Sequence, residues 1–352
     1  MSKILVSTGE PLKYGDGDTT TTEIIGGMTC QDLGSYPLGI YGGVGSTIGS
    51  FAVICGGREY NGSSYLSVKQ CYKLVAGEWQ QFATMNSERA FAAGVNVGNS
   101  LMIFGGLDST VNSYKAALQS TEIIHEDGQV SQGPKMPNDK WGSEAGLLGH
   151  NIAVVNSSTL IISGGMANGI AYLTWYFNHI TQKFQEGPSL MANRYHHASG
   201  TVVDHETNEN IVVVAGGYGS DTLDSTELLL DGEWQQGKNI SNDKMFLFAS
   251  FVQVCIFVSK MKSLFLIILI FFIFISGPQM PKKIQELTSV VIGGDLYTIG
   301  GYSPDGSWWQ TEIQRLSCSS RVCAWTTINQ QLKVSRENTV AIRVMDTLCT
   351  PN

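Results

Sequence analysis

The sequence predicts an all-β protein, a six-bladed β-propeller of four-stranded antiparallel blades in which strands from both termini complete one blade. Three observations lead to this prediction. The 352 residues include 40 glycines, and only 15% are charged, which is typical of a folded, turn-rich chain. An apolar run that ends in paired glycines recurs along the chain. Two other short patterns recur between these runs, so that units of about fifty residues repeat six times, as in a propeller.

The first repeated pattern predicts the second strand of each blade. It has five clear copies, at 51–57, 101–106, 160–165, 211–217 and 296–301, and a degraded sixth at 4–9. Four or five consecutive apolar residues predict a strand that is buried on both faces. The glycine pairs predict backbone with φ > 0 in a crowded place. They are Gly56 and Gly57, Gly105 and Gly106, Gly164 and Gly165, Gly216 and Gly217, and Gly300 and Gly301.

The other patterns predict the remaining strands. A Thr-Glu-apolar pattern at 22–25, 121–124, 226–229 and 311–313 fits a third strand. An aromatic or apolar residue in a polar setting fits a fourth. It is Trp79 in one unit and Trp234 in another, and Trp325 belongs to a looser copy. An innermost strand follows, for example within 89–97 or 194–203, and leads to the next glycine pair.

These patterns resemble the kelch-repeat family. Its marks are Gly-Gly after an apolar strand, a Tyr soon after and a Trp about twenty residues later. Gly56, Gly57, Tyr60 and Trp79 show all of them, and the unit of Tyr218 and Trp234 shows them again. The resemblance implies one kelch-type propeller over 1–352. The first residues supply a glycine-ended strand and 339–344 an innermost strand, so together they are expected to close one blade.

Residues 238–277 interrupt the repeat. Gly133 is followed by Pro-x-Met-Pro, but after Gly237 that pattern returns only at Pro278, forty residues late. We therefore interpret 238–277 as a foreign apolar insertion, and we favour a translated intron. The alternative is a propeller tethered to a membrane through 245–276. Its two apolar runs are shorter than the roughly 20 residues that span a bilayer, and lysines separate them.

Composition limits the partners and leaves the compartment open. A net charge of −8 argues against binding to nucleic acid. Of seven cysteines, Cys318 and Cys323 fit a hairpin disulfide, and sequons at Asn61 and Asn156 would suit an exported protein. The first nine residues contain an apolar run too short for a signal peptide. We expect a cytoplasmic protein or, if the start is truncated, an extracellular one.

Catalytic signatures are weak in this sequence. The run 194–197 (Arg-Tyr-His-His) raises the alternative of a copper oxidase of the galactose oxidase kind, because paired histidines can bind metal. Arg and His at the start of an innermost strand are, however, ordinary features of the repeat. We expect no enzyme, no cofactor and no metal site.

The remaining interpretation is a protein-binding scaffold, because a propeller gathers loops from every blade around one mouth. The kelch resemblance implies that residues after Gly-Gly, and those before the innermost strand, line the binding face. At the matching positions stand Arg58, Tyr60, Tyr218 and Tyr302 from the first group, and Arg89 and Arg194 from the second. Tyr and Arg are common anchors of interfaces. The partner is expected to be a protein, and a membrane only if 245–276 is a genuine anchor.

The intron interpretation predicts that most transcripts lack the codons for 238–277, because the flanking codons can form splice sites. Sequencing cDNA between the codons for Gln236 and Pro278 tests it. We expect a dominant short product that joins Gly237 to Pro278; a long product alone would contradict the interpretation.

Overall fold

The fold is described from a computed structural model. It covers residues 2–11, 20–26, 33–109, 117–137, 146–167, 169, 173–236, 277–305 and 308–345. Every regular element in these ranges is a β-strand, as the sequence predicts. The first strands are β1 (Ser2–Ser7), β2 (Glu10–Pro11), β3 (Thr22–Ile25), β4 (Ile40–Tyr41), β5 (Val44–Ile48), β6 (Phe51–Cys55), β7 (Arg58–Tyr60), β8 (Tyr65–Ser67), β9 (Gln70–Val75), β10 (Glu78–Thr84), β11 (Ala93–Val97), β12 (Ser100–Phe104), β13 (Thr121–Ile124) and β14 (Val130–Gln132). The others are β15 (Asn151–Val154), β16 (Thr159–Ser163), β17 (Thr174–Asn178), β18 (Lys183–Glu186), β19 (Ala198–Val203), β20 (Asn210–Ala215), β21 (Thr226–Leu230), β22 (Glu233–Gln236), β23 (Thr288–Ile292), β24 (Asp295–Ile299), β25 (Ile313–Ser319), β26 (Val322–Thr327), β27 (Arg336–Glu337) and β28 (Val340–Met345).

The repeated units form antiparallel sheets, which we number 1 to 6. Sheet 1 is β5-β6-β9-β10, sheet 2 is β11-β12-β13-β14, sheet 3 is β15-β16-β17-β18, sheet 4 is β19-β20-β21-β22, sheet 5 is β23-β24-β25-β26, and sheet 6 is β28-β1-β3. The first strand named in each sheet packs against that of the next, and β28 packs against β5. The described strands also form two short sheets, β4-β7-β8 and β2-β27.

Sheet 6 contains strands from both ends of the chain. β1 pairs with β28 from Ser2 opposite Met345 to Ser7 opposite Val340. All six residues of each strand take part in this ladder. The first and last described strands are therefore tied together by main-chain hydrogen bonds.

Apolar side chains fill the space between neighbouring sheets. Val53 of sheet 1 shares a cluster with Ile103 of sheet 2, and Phe104 of sheet 2 shares one with Ile162 and Phe177 of sheet 3. The second strand of each of sheets 1 to 4 is buried on both faces, as its continuous apolar run predicts. Each such side chain contributes about 1.5–3 kcal/mol relative to exposure.

The Thr-Glu pattern has a role that sequence reasoning missed. In sheet 4, the Arg194 guanidinium donates to Gly216 O, to Ser225 and to a Glu227 oxygen 2.6 Å away. Glu227 also accepts the main-chain N–H groups of 191 and 192. Arg89 with Glu122, and Arg336 with Glu23, repeat this arrangement in sheets 2 and 6. The glutamate thus anchors the loop that leads into the innermost strand.

The prediction that Arg89 and Arg194 line a binding face is wrong. They are 1% and 0% exposed. Their terminal NH2 groups donate to carbonyls, a serine hydroxyl and a buried carboxylate of their own sheet, so neither side chain can reach a partner. A guanidinium suits this place because its fork satisfies several acceptors at once.

Two disulfides link directly opposed residues on neighbouring strands. Cys318 bonds to Cys323 across the β25–β26 hairpin, which confirms the pairing expected from sequence. Cys55 bonds to Cys71, joining β6 to β9 inside sheet 1. The second pairing was not predicted, because sixteen residues separate the two cysteines and only the register brings them together.

The apolar insertion lies outside the described residues, as do its membrane-tether candidates at 245–276. The residues that flank the break are described: Gln236, at the end of β22, and Gly277 form a parallel bridge. The chain therefore leaves and re-enters sheet 4 at one place. Among the described residues, no helix is long and apolar enough to cross a membrane.

Arg194→Met should lower the free energy of unfolding by about 3–5 kcal/mol, because it leaves the Glu227 carboxylate buried without its cation. Urea unfolding measures this loss. Arg321→Met is the matched control, since Arg321 pairs with Glu209 but both side chains are 32% exposed; its loss should stay below about 1 kcal/mol. Equal losses would contradict the anchoring role.

Candidate functional site

The candidate site is built on hydrogen bonds that connect neighbouring sheets. The second residue of each glycine pair donates its N–H to the carbonyl that precedes the next innermost strand. The bonds run from Gly9 to Ile40, Gly57 to Arg89, Gly106 to Leu147, Gly165 to Arg194, Gly217 to Ile284, and Gly301 to Arg336, at 2.8–3.0 Å. The ten glycines predicted to adopt φ > 0 all do so, with φ between 61° and 105°.

The residues two positions after each of those carbonyls form a second set of hydrogen bonds, which runs from sheet to sheet around a central axis. We call these six the ring residues: Gly42, Phe91, Gly149, His196, Glu286 and Asn338. Each donates its N–H to the carbonyl of the preceding one, and Gly42 donates to Asn338, so the series returns to its start at distances of 2.8–3.0 Å. All have φ between 48° and 66°. For the four that are not glycine this conformation costs on the order of 1–3 kcal/mol each.

The two ring glycines make room for aromatic neighbours. A Cβ at Gly42 would lie 2.6 Å from the Phe91 ring, and one at Gly149 would lie 3.2 Å from His196 Cε1. Phe91 and His196 consequently meet edge to face, with ring centroids 4.9 Å apart. Five of the six ring residues, all but Glu286, border an axial cavity of about 210 Å³. Its walls also include 43–45, 92–94, 150–152, His197, Ser199, 287–289 and 339–341.

We call the end of the sheets at which the ring residues lie the ring mouth. Arg58 lies in an aromatic cluster on one side of this mouth. Its guanidinium is 5.5 Å from the centroid of Tyr65, 5.9 Å from that of Tyr41 and 6.0 Å from that of Phe91. Such contacts orient a cation and each contribute about 0.5–1 kcal/mol. Arg58 Nε is buried without a hydrogen-bond partner among the described residues.

The tyrosines predicted to line the rim also follow glycine pairs into loops at this mouth. Tyr60 is 47% exposed, and its ring lies 5.0 Å from that of Tyr65. Tyr218 forms a bridge with Tyr195, next to ring residue His196. Tyr302 forms bridges with Gln285, next to Glu286, and with Trp309. Trp308, which is 59% exposed, lies 5.9 Å from the Tyr302 ring.

Another part of the mouth, at Glu286 and Glu337, is acidic. Glu286 accepts a hydrogen bond from Asn338 Nδ2 at 3.2 Å. Burial, together with the nearby Glu286 and Glu10 carboxylates, raises the pKa of Glu337 to about 9. Glu337 is therefore a neutral acid at pH 7. Sequence reasoning missed Phe91, Glu286 and Glu337, although aligning the repeats on the innermost strand would have brought the ring positions into register.

His197, the second of the paired histidines, lies in the wall of the axial cavity, and its ring packs against the preceding sheet. The His197 Nε2 lies 3.1 Å from Ser163 Oγ, and its Cε1 would touch a Cβ at Gly164 of sheet 3. His150 packs in the same way against Gly105 of sheet 2. Burial lowers the pKa of His150 to about 3 and that of His197 well below its usual value. Within the described part of the chain, no group of three or more His, Cys, Asp or Glu is arranged to hold a metal ion.

These features define a β-propeller. The structure is similar to a solved structure titled "Structure of YjhT", a kelch-type β-propeller, with a TM-score of 0.61 over 89% of this chain and 88% of that one. The two sequences are 10% identical, so the likeness extends to the fold alone. No protein-family model and no curated protein matches the sequence.

Glu337→Gln should stabilise the protein increasingly as pH rises from 5 to 8. The raised pKa keeps Glu337 protonated in the folded state while the unfolded state ionises above about pH 4.5, so wild type loses up to about 1.4 kcal/mol per pH unit that the variant keeps. Urea unfolding at pH 5, 6, 7 and 8 measures the difference. Glu233→Gln, at an exposed acid on β22, is the control. A difference that does not change with pH would contradict the buried neutral acid.

Proposed function

We propose that the chain is a six-bladed kelch-type propeller, closed by N- and C-terminal strands in one blade, and that it acts as a non-catalytic scaffold that binds a protein partner at the ring mouth. The blade count and closure are supported by the six ring hydrogen bonds, which return to their start. The terminal strands β1 and β28 supply the joint.

The observation that carries the binding role is the state of Arg58. Its guanidinium is held over three aromatic rings, and no acidic side chain in the described part of the chain forms an ion pair with it. A cation whose orientation is fixed before binding loses little entropy when it meets a carboxylate. Arg and Tyr in such settings commonly carry most of the energy of an interface. A partner segment with a carboxylate next to an apolar side chain fits this surface.

We prefer the scaffold to the copper oxidase because His196 and His197, the two histidines that suggested the oxidase, make structural contacts. His196 is a ring residue whose imidazole meets Phe91 edge to face. His197 bonds to Ser163, and the rings of His150 and His197 pack on glycines of the preceding sheet. The mouth also carries Arg58 with the tyrosine rings around it, and the carboxyl groups of Glu286 and Glu337. These groups are suited to recognising a protein surface.

Replacing Arg58, Tyr218 and Tyr302 together by alanine should reduce partner capture more than about 30-fold, since loss of one strong anchor alone costs about 2 kcal/mol. Quantitative capture from native extracts, with wild type and variant at equal concentration, measures it. Thermal unfolding should change by only a few degrees.

Ile180→Ala with Val322→Ala is the matched control. Ile180 lies in the β17–β18 turn and Val322 is the first residue of β26; they are 70% and 63% exposed, at the strand ends remote from the ring. The control should bind like wild type. Unchanged capture by the triple variant, or its unfolding, would overturn the proposed binding face.

A further inference from the structure

An asparagine side chain closes each of two exposed hairpin turns, at Asn61 and at Asn156. In the β7–β8 turn, Asn61 Oδ1 accepts hydrogen bonds from Ser63 N, Ser64 N and Ser63 Oγ at 2.9–3.0 Å. In the β15–β16 turn, Asn156 Oδ1 accepts hydrogen bonds from Ser158 N, Thr159 N and Ser158 Oγ at 3.0–3.1 Å. The amide oxygen closes each turn.

The side-chain amide nitrogen of each asparagine takes no part in closing the turn. Neither Asn61 Nδ2 nor Asn156 Nδ2 forms a hydrogen bond with the described residues, and both side chains are exposed. Other asparagines use that nitrogen: Asn151 Nδ2 donates to His197 O, and Asn338 Nδ2 donates to Glu286. A substituent on the nitrogen of Asn61 or Asn156 would therefore break no contact of the fold.

Both asparagines stand in Asn-x-Ser, the acceptor pattern for N-linked sugars, which needs a hydroxyl two residues after the asparagine. Asn178 is an internal comparison. Its Oδ1 closes the same kind of turn, accepting from Ile180 N and Thr181 N, but the residue two positions on is Ile180. The turn geometry is thus shared by three asparagines, and the acceptor chemistry by two of them.

The disulfides point independently to the same compartment. Cys55 and Cys71 are fully buried and bonded in sheet 1, and Cys318 and Cys323 are bonded in sheet 5. Disulfides of this structural kind persist in oxidising compartments, which are also where N-linked sugars are added. Two separate covalent features thus fit one environment.

We propose that Asn61 and Asn156 carry N-linked glycans in a protein that passes through the secretory pathway. Each Nδ2 displaces the diphosphate of a lipid-linked oligosaccharide at the anomeric carbon. A C–N bond forms as the C–O bond breaks, and the amide loses one proton as the lipid diphosphate leaves.

The two glycans lie at opposite ends of the propeller. Asn61 directly follows Tyr60 and so stands beside the ring mouth, whereas Asn156 follows β15, which starts at the ring and runs away from it. A glycan at Asn61 borders the proposed partner-binding face, while one at Asn156 leaves that face clear. This inference does not depend on the proposed binding function.

Peptide mapping of the full chain from its native cells tests the proposal. Enzymatic removal of N-glycans converts a glycosylated asparagine to aspartate, so we expect that mass change at Asn61 and Asn156 and none at Asn178. The cysteines of both disulfides should resist alkylation until they are reduced. Unmodified peptides at both sites, or freely alkylated Cys55 and Cys71, would overturn the proposal.

Variants separate acceptor chemistry from folding. Residues 239–241 (Asn-Ile-Ser) form a third sequon, so Asn239 is changed to Gln in all variants. In a secreting eukaryotic host, Ser63→Ala and Ser158→Ala should then each abolish one deglycosylation-sensitive gel shift. Ser63→Thr and Ser158→Thr should retain both shifts. A secreted wild-type protein whose mobility is unchanged by deglycosylation would also overturn the proposal.

Discussion

The fold depends on the hydrogen-bonded joint at which the chain passes from one sheet to the next. At each joint the N–H of the second glycine bonds to the carbonyl that heads the following innermost strand. Both partners must approach closely, and a Cβ at Gly57 or Gly165 would meet neighbouring backbone at about 3.1 Å. Apolar side chains fill the space between the sheets, and these bonds link neighbouring sheets two residues before each ring residue, where the backbone adopts φ > 0.

Much of this fold could be predicted from the sequence, because repetition makes weak local signals add up. The glycine-ended strands, their φ values and the Cys318–Cys323 pairing follow from residue type and spacing. Even the degraded copy obeys the pattern, since Thr8 takes the place of a first glycine with φ of 64°. The kelch relationship and the insertion remain predictions.

The roles of Arg89 and Arg194 were misjudged because sequence position places a residue near the mouth without saying which way its side chain turns. The decisive fact was the glutamate of the Thr-Glu pattern, some thirty residues later, which draws the guanidinium inward. Sheet 3 lacks both partners, with Leu147 at the arginine position and Trp175 at the glutamate position. In sheet 5, Ile284 stands at the arginine position and Glu312 pairs with Lys282. No acid in the described ranges forms an ion pair with Arg58, and its guanidinium is held by aromatic rings at the mouth.

The bridge between Gln236 and Gly277 has a practical consequence for anyone who handles this molecule. Gln236 and Gly277 lie side by side at the outer strand of sheet 4. A compact domain whose own termini are close together can therefore be inserted between them without moving these two residues apart. Tolerance of extra chain is then a property of the attachment geometry, whatever the grafted residues are.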